Sequence, residues 1–357
     1  MSATSRIVIA AGGTAGHVVP ALAVADALRA DGAEVEFIGG RRAEATLVPE
    51  AGFELHQIAV EGMSRSHPLK ALRALARAAL AFPRSRSLLR SLAPDAVLGG
   101  GGYVSAPVGM AAVSLHVPLV LSEADSHLGL SNRLLARFAR RVCLAFPIPG
   151  REAPRYRVTG RPVPAGAAAP DRQAARRRFG IPAGARCVLV FGGSLGARSI
   201  NLAAVEAFAG APFHVLHISG SRDYPELAGR SLPDTYHLFE YLDLERFGEA
   251  LDAADLAVAR AGGSVFELAA HGLPAILVPY PQAAADHQSA NAGWMERAGA
   301  AVTVADGQLT AAWLSWTVGE LLGDEGRLAS MAGAARSLAR PDAARAVAGE
   351  LLAAAGR

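Results

Sequence analysis

The feature that most constrains this chain is that it repeats itself. RIVIAAGGTAGHVVPALAVADAL at 6–28 and RCVLVFGGSLGARSINLAAVEAF at 186–208 align at a constant offset of 180, with Gly12, Gly13 and Gly16 matched by Gly192, Gly193 and Gly196. Each copy is a β-branched apolar run, a Gly-Gly-x-x-Gly turn and a segment with apolar residues at helical spacing, Val18, Leu22 and Ala25 in the first. That reads as strand, tight loop and helix. A second echo, DAVLGGGG at 95–102 against DLAVARAG at 255–262, has an offset of 160. His-Val-Pro at 116–118 and Gly-Leu-Pro at 272–274 then introduce the apolar strands LVLSE and AILVPY. Alternating strands and helices call for parallel sheets covered on both faces, with ligands outside the carboxyl ends of the strands, where all four Gly-rich loops fall. The expected fold class is α/β, two Rossmann-like domains facing each other across a cleft. VTGRPVPAGAAAP at 158–170 interrupts the pattern and sets the expected domains at 1–160 and 161–340, before Pro341 breaks the last helical stretch.

Composition narrows the setting. With 357 residues, 51% of them hydrophobic, the chain has material for two full cores. Cys143 and Cys187 lie in the apolar runs RVCLAF and RCVLVF, which supports neither a disulfide framework nor a Cys-based zinc site and fits a reducing compartment. Apolar runs stay below 18 residues, and Gly12, Gly13, Gly16 and His17 interrupt the first too early for a signal-peptide core. Residues 1–160 carry 18 Lys+Arg against 12 Asp+Glu, and between Glu61 and Asp95 lie seven basic residues and no acidic one. There PLKALRALARAALAFPRSRS at 68–87 reads as a helix with Lys70, Arg73 and Arg77 in a narrow wedge and Leu69, Leu72, Leu75, Leu80 and Phe82 opposite. Such a helix either packs its apolar arc on its own sheet or lies on an anionic bilayer surface. Basic and aromatic residues are not interleaved, so nucleic acid is not an expected partner.

A glycine pair opening a helix brings main-chain N–H groups close to a ligand at the positive end of the helix dipole, and phosphate is the natural partner. Neither G-x-G-x-x-G nor G-x-x-x-x-G-K-[ST] is present, because Thr14 and Ser194 stand two positions after Gly12 and Gly192. In ARAGGSVFELAAHGLPAILVPYP at 259–281, Gly262 and Gly263 open a helix for a diphosphate, and Glu267, one turn in, either accepts ribose hydroxyls or simply favours the helix start. ADHQSANA gathers Asp286, His287, Gln288 and Asn291, a set suited to sugar hydroxyls or to helix capping by Asp286. His17, in the first turn after its glycine loop, is a candidate general base, with packing as the alternative. Glu123 and Asp125, at the end of strand 117–122, are the other candidates. His214-x-x-His217 sits on an apolar strand and reads as core rather than metal site, and no obligatory metal is expected.

GGTAGHVVPALAVADAL, GGGGYVSAPVGMAA, FGGSLGARSIN, RAGGSVFELAAHGLPAILVPYP and DHQSANA, in this order over essentially the whole chain, closely resemble the MurG family of undecaprenyldiphospho-muramoylpentapeptide β-N-acetylglucosaminyltransferases. The resemblance implies a GT-B fold with residues 341–357 returning to the first domain, UDP-GlcNAc as donor, and membrane-bound lipid I as acceptor. It also implies a peripheral place on the cytoplasmic face of the plasma membrane and no obligatory cofactor. Carried over by motif, Gly193, Ser194, Gly262, Gly263 and Ser264 would meet the diphosphate, with Arg260 beside them. Glu267 would take the ribose, the main chain of Leu242 the uracil, and Gln288 and Asn291 the GlcNAc. Thr14, Ala15, Gly16 and Asp125 would approach the reacting sugar, and Gly13, His17, Gly100, Gly101, Gly102 and Tyr103 the acceptor. Leu195, Asp125 and Pro164 stand where the family often has Gln, Asn and Arg, with Arg161 placed to replace that Arg, and the segment from Arg260 to Glu267 is one residue shorter. Rival readings are another GT-B transferase with a different lipid or natural-product acceptor, a UDP-sugar epimerase, and a non-catalytic nucleotide-binding protein.

Overall fold

The computed structural model describes residues 4–60, 68–164, 171–193, 195–283 and 286–356, without the side chains of 68–76 and 78. The chain divides into two compact units, Met1–Pro164 with Arg340–Arg357, and Ala165–Ala339. Arg161 thus lies in the first unit.

The first unit runs β1 (Arg6–Ala10), α1 (Ala15–Ala30), β2 (Glu34–Gly39), α2 (Glu44–Glu50), β3 (Glu54–Gln57), α3 (Pro68–Leu92), β4 (Ala96–Gly99), α4 (Ser105–Ser114), β5 (Leu119–Glu123), α5 (Leu130–Leu135), β6 (Arg141–Leu144) and β7 (Tyr156–Val158). The second runs α6 (Arg172–Arg178), β8 (Cys187–Phe191), α7 (Arg198–Ala207), β9 (His214–Ile218), α8 (Tyr224–Ala228), β10 (Tyr236–Phe239), α9 (Leu244–Ala253), β11 (Leu256–Ala259), α10 (Val265–Ala270), β12 (Ala275–Leu277), α11 (His287–Arg297), β13 (Ala301–Thr303), α12 (Ala311–Gly323) and α13 (Glu325–Leu338). The chain closes with α14 (Ala343–Ala354) on the first unit.

Both sheets are parallel, ordered β3-β2-β1-β4-β5-β6-β7 and β10-β9-β8-β11-β12-β13. Parallel strands covered by helices have no wet face, which is why β1 and β8 read as unbroken apolar runs and Ile7, Ile9, Val188 and Val190 are all buried. In each sheet the order reverses beside the first strand, opening a crevice at the carboxyl ends of β1 and β4 and of β8 and β11. The sequence repeat therefore builds the same switch point twice.

Helix α1 is buried on more than the single stripe its spacing suggests, because α14 packs on it: Val347, Ala348, Leu351 and Ala354 join Val18, Leu22, Val24 and Leu28 in one cluster. Glu350 fastens α14 to the sheet through Arg141 at 3.0 Å and Arg157 at 2.5 Å. Helix α3 continues through Pro83 to Leu92, past the expected end at 87. The side chains of Leu69, Lys70, Leu72, Arg73 and Leu75 lie outside the described set; farther along, Leu80 is exposed while Ala81 is buried. No helix among the described residues is long and apolar enough to cross a membrane.

Candidate active site

At the first switch point three loops meet around one carboxylate. Glu44, the first residue of α2, is fully buried and accepts the N–H of Gly13 at 2.8 Å, the N–H of Gly40 at 2.9 Å and the Tyr103 hydroxyl at 2.8 Å. Burial alone would push its pKa up, but these hydrogen bonds outweigh it and hold the carboxyl below its ordinary value. Burial and the neighbouring Glu44 in turn raise the Tyr103 phenol. Sequence reasoning missed Glu44, since an acid at a helix start is ordinarily explained by the dipole. The available signal was the Gly39–Gly40 pair, a further glycine turn at a strand end, four residues upstream.

His17 sits on the first turn of α1, where its N–H meets the Thr14 carbonyl at 3.0 Å. Its Nδ1 is buried without a hydrogen-bond partner among the described residues, and a side chain on Gly101 would meet that nitrogen at 2.9 Å. Gly101 also has φ +92°, so glycine is required there by conformation and by space. Burial lowers the His17 pKa, the charge of Asp125 opposes this, and Arg161 adds to it, so the ring is neutral at pH 7. The Gly100–Gly102 turn is anchored by Gly100 N–H on Ala10 at 2.9 Å and by the Ser131 hydroxyl on the Gly102 carbonyl at 2.9 Å. Thr14, Ala15 and Gly16 form the entry to α1, with Thr14 and Gly16 exposed.

Glu123 and Arg161 hold this site rather than face it. Glu123 is 4% exposed, and its oxygens accept the N–H groups of Gly129 (2.8 Å) and Asp125 (3.2 Å) and the Asn132 amide (3.0 Å). Burial raises its pKa against those bonds. Its role is to close the turn that carries the half-buried Asp125. Arg161, expected at a sugar, is 7% exposed and donates to the Gly16 carbonyl at 2.5 Å and to Ala124 at 3.1 Å. Pro20 explains the first contact: lacking an N–H, it leaves the Gly16 carbonyl without its helical donor, and the guanidinium takes it.

The second switch point is built differently. Gly196 has φ +78°, and a Cβ there would run into the Ser219 carbonyl, so the β8 loop packs directly on the end of β9. Gly193 is exposed with open space around it, whereas Ser194, a candidate diphosphate contact, lies outside the described residues. Among the described residues the N–H groups of Gly262, Gly263 and Ser264 have no acceptor. They precede α10, which is only six residues long, so local N–H groups count for more here than a long helix dipole. Glu267 is half-buried in its first turn. Asn291 is 2% exposed and donates to the Ala261 carbonyl at 3.0 Å, with its Oδ1 unpartnered among the described residues. The Gln288 oxygen accepts the Tyr280 N–H at 2.9 Å. Leu242 is buried as a whole residue, 5% exposed. Asp286 offers no capping bond to α11 and instead accepts the Ser289 hydroxyl at 2.7 Å.

Arg260 also supports from beneath: 9% exposed, it pairs with Asp306 at 2.5 Å and donates to the Val278 carbonyl (3.1 Å) and the Ser199 hydroxyl (2.9 Å). His217 is core. Its Nε2 meets Asn201 Oδ1 at 3.0 Å and its Nδ1 the Tyr236 hydroxyl at 2.7 Å, while the Asn201 amide donates to Ser219 and Asp223. With the amide hydrogens so used, Asn201 Oδ1 must accept, which assigns the proton to Nε2. Burial pulls the His217 pKa down to about 3. Among the described residues the one metal-compatible group is Glu36, Glu54 and His56, on β2 and β3.

The comparisons agree with this architecture at every level. Residues 7–144 match the glycosyltransferase family 28 N-terminal domain and residues 187–347 the glycosyltransferase family 28 C-terminal domain. A relative from Salinibacter ruber is 43% identical, covering 99% of this chain and 97% of its own; one from Moorella thermoacetica is 41% identical, covering 96% and 97%. Both are named UDP-N-acetylglucosamine–N-acetylmuramyl-(pentapeptide) pyrophosphoryl-undecaprenol N-acetylglucosamine transferase. The crystal structure of MurG from Acinetobacter baumannii superposes with a TM-score of 0.75 at 29% identity, over 98% of this chain and 100% of that one. The calicheamicin glycosyltransferase CalG4, at 19% identity and a TM-score of 0.71, shares the fold. Two matched domain models, near-complete coverage and two Rossmann-type units of the GT-B class leave one placement: the chain belongs to glycosyltransferase family 28 and, within it, to the MurG family.

Proposed function

We propose that this chain transfers GlcNAc from UDP-GlcNAc to the C4 hydroxyl of MurNAc in lipid I, with inversion, giving lipid II and UDP for peptidoglycan synthesis. The observation that carries the reading is 41–43% identity, over 96% or more of the chain, to transferases named for that donor and acceptor. UDP-GlcNAc is assigned to the second unit, with its diphosphate on the N–H groups of Gly193 and Gly262–Ser264 and on Ser194. Glu267 takes the ribose, Leu242 the uracil, and Gln288 and Asn291 the sugar. Lipid I is assigned to Gly13, Gly100–Gly102, Tyr103 and His17, with Thr14, Ala15 and Gly16 toward the reacting sugar.

In this mechanism neutral His17 accepts the C4 hydroxyl proton as that oxygen bonds to the anomeric carbon and the bond to UDP breaks. Nε2 is the nitrogen for the task, because Nδ1 is held against Gly101. The negative charge of Asp125 stabilises the imidazolium that forms and makes Asp125 the alternative base. Charge on the departing diphosphate is met by main-chain N–H groups, so the chemistry calls for no metal.

A peripheral position on the cytoplasmic face, against an anionic membrane, completes the reading. Supporting it, Leu130, Leu134 and Phe138 repeat at i, i+4 and are 41%, 53% and 41% exposed, with exposed Arg133, Arg137 and Arg140 between and beside them. This stripe begins on α5, whose first turn is tied to Gly102 and Glu123. Flotation on anionic vesicles, reduced at least fivefold by Leu134→Ser with Phe138→Ser, is the expected result; undiminished binding rejects the stripe.

Transfer of labelled GlcNAc to a lipid I analogue, against an acceptor-free control, tests the function. Acceptor-dependent disaccharide-lipid is expected. UDP release without it would move the chain to another acceptor or to an epimerase-like reaction.

A further inference from the structure

The carboxyl edge of the second sheet carries the proposed donor site, and a separate cavity opens at the opposite edge. A hollow of about 480 Å³ lies where β8, β11 and β12 begin, between the α6 entry, the turn after α10, and α13. Its volume is that of a small-molecule site. One wall is rich in arginine, with Asp255 and the Asp252–His271 pair (2.5 Å) set among them. Asp255, just before β11, accepts Arg172 at 2.7 Å, Arg176 at 2.8 Å and the Cys187 N–H at 2.8 Å, with Arg186 at 3.6 Å. Three guanidiniums thus surround one carboxylate, and Arg186 turns outward to Glu325, an 82% exposed acid on the rim. The facing wall is α13, where Arg336 lies across Gly272 and has no acceptor or ion-pair partner among the described residues. Leu251, Leu273, Leu328 and Ala332 supply apolar surface between them. None of these residues belongs to the nucleotide or acceptor assignments above, so the inference stands whatever the transferred sugar.

We propose that this cavity is a second ligand site, for a small phosphate monoester held between Arg336 and the Arg172–Arg186 wall, its organic part against the leucines. A planar guanidinium presents paired donors that match phosphate oxygens, and a dianion suits a pocket with an unpaired arginine on one side and, once Glu325 is displaced, three arginines against Asp252 and Asp255 on the other. Glu325 is the group it displaces, exchanging one exposed carboxylate for the ligand on Arg186.

Phenyl phosphate is the probe, titrated calorimetrically into the full-length protein with saturating UDP present to occupy the diphosphate loops. One-to-one saturable binding is expected, weakened at least tenfold by Arg336→Gln and abolished by Ala332→Trp, which fills the hollow. Glu325→Gln, which frees Arg186, is expected to tighten it about threefold. Binding that UDP eliminates, binding equal in wild type, Arg336→Gln and Ala332→Trp, or no saturation at millimolar probe would each overturn the site. Because Arg336 and Ala332 are on the surface side of α13, circular dichroism of both variants verifies that a loss is not unfolding.

Discussion

Glu44 and Asp223 stand at the same place in the two units, an acid at the start of the helix after the second strand, 179 positions apart. Glu44 reaches the glycine loop directly and accepts only neutral donors. Asp223 instead accepts Asn201 at 2.8 Å and Arg198 at 3.2 Å, both on α7, and Arg222 at 3.3 Å. Each carboxyl is held below its ordinary pKa against the opposing effect of burial, the first by loop and phenol hydrogen bonds, the second by arginine and amide. What the duplication kept is backbone: glycines where chains touch. What diverged is the polar chemistry beneath. A carboxylate bonded to the main chain fixes a loop's shape, whereas one bonded to side chains fixes the helix and leaves the loop to its ligand.

The sharpest way to separate the halves is His17→Ala. Loss of a general base lowers turnover roughly 100- to 10,000-fold, while UDP affinity, a property assigned to the second unit, stays within twofold. Near-normal turnover would remove His17 from the chemistry. Glu44→Ala strands two N–H groups and a phenol, at about 1–3 kcal/mol each before water enters. The expected loss is about 3 kcal/mol in urea unfolding, together with a raised acceptor KM and unchanged UDP affinity. Equal damage to both substrates would break the comparison.

Acid tests both units next. His217 is neutral in the fold down to about pH 3 and titrates near 6.5 when unfolded, so the unfolded chain binds the proton first. Its stabilising contribution is complete above 6.5 and lost as pH falls toward 3, about 2 kcal/mol by pH 5. His17, also lowered, gives the first unit a slope of the same sign. Protection factors for hydrogen exchange at β8–β10, corrected for the slower intrinsic exchange in acid, should therefore fall on acidification, and His217→Asn should flatten that slope locally. The smallest effect is Tyr103→Phe, which removes one of the three bonds to Glu44 and costs about 1 kcal/mol; a loss as large as that of Glu44→Ala would make the phenol, not the carboxylate, the keystone.

Most of the fold could be read because its signals are backbone signals. Apolar runs of strand length, glycine turns at fixed offset and helical spacing give two parallel sheets without knowledge of any contact. The loops of the candidate site were legible where the same logic applied, at the glycine turns of Gly13, Gly101 and Gly193. The site was not legible where a side chain acts at a distance in sequence. Glu44 joins Tyr103 across 59 positions, Arg161 answers a vacancy made by Pro20, and Arg260 is committed to Asp306. Glu123, Arg161 and Arg260 have the right chemistry for substrates and sit near them in sequence, yet burial directs all three to carbonyls, amides and a partner acid. Spacing cannot reveal which way a charged group turns.

The placement of α14 has a consequence for the order in which the protein is made. Residues 165–339 form a continuous insertion within a unit whose sheet is synthesised before them and whose helix α14 is synthesised after them. The unit begun first is finished last. Until α14 arrives, Val18, Leu22 and Leu28 face a partner not yet translated, so during synthesis the second unit can reach its native form while the first waits with an open seam.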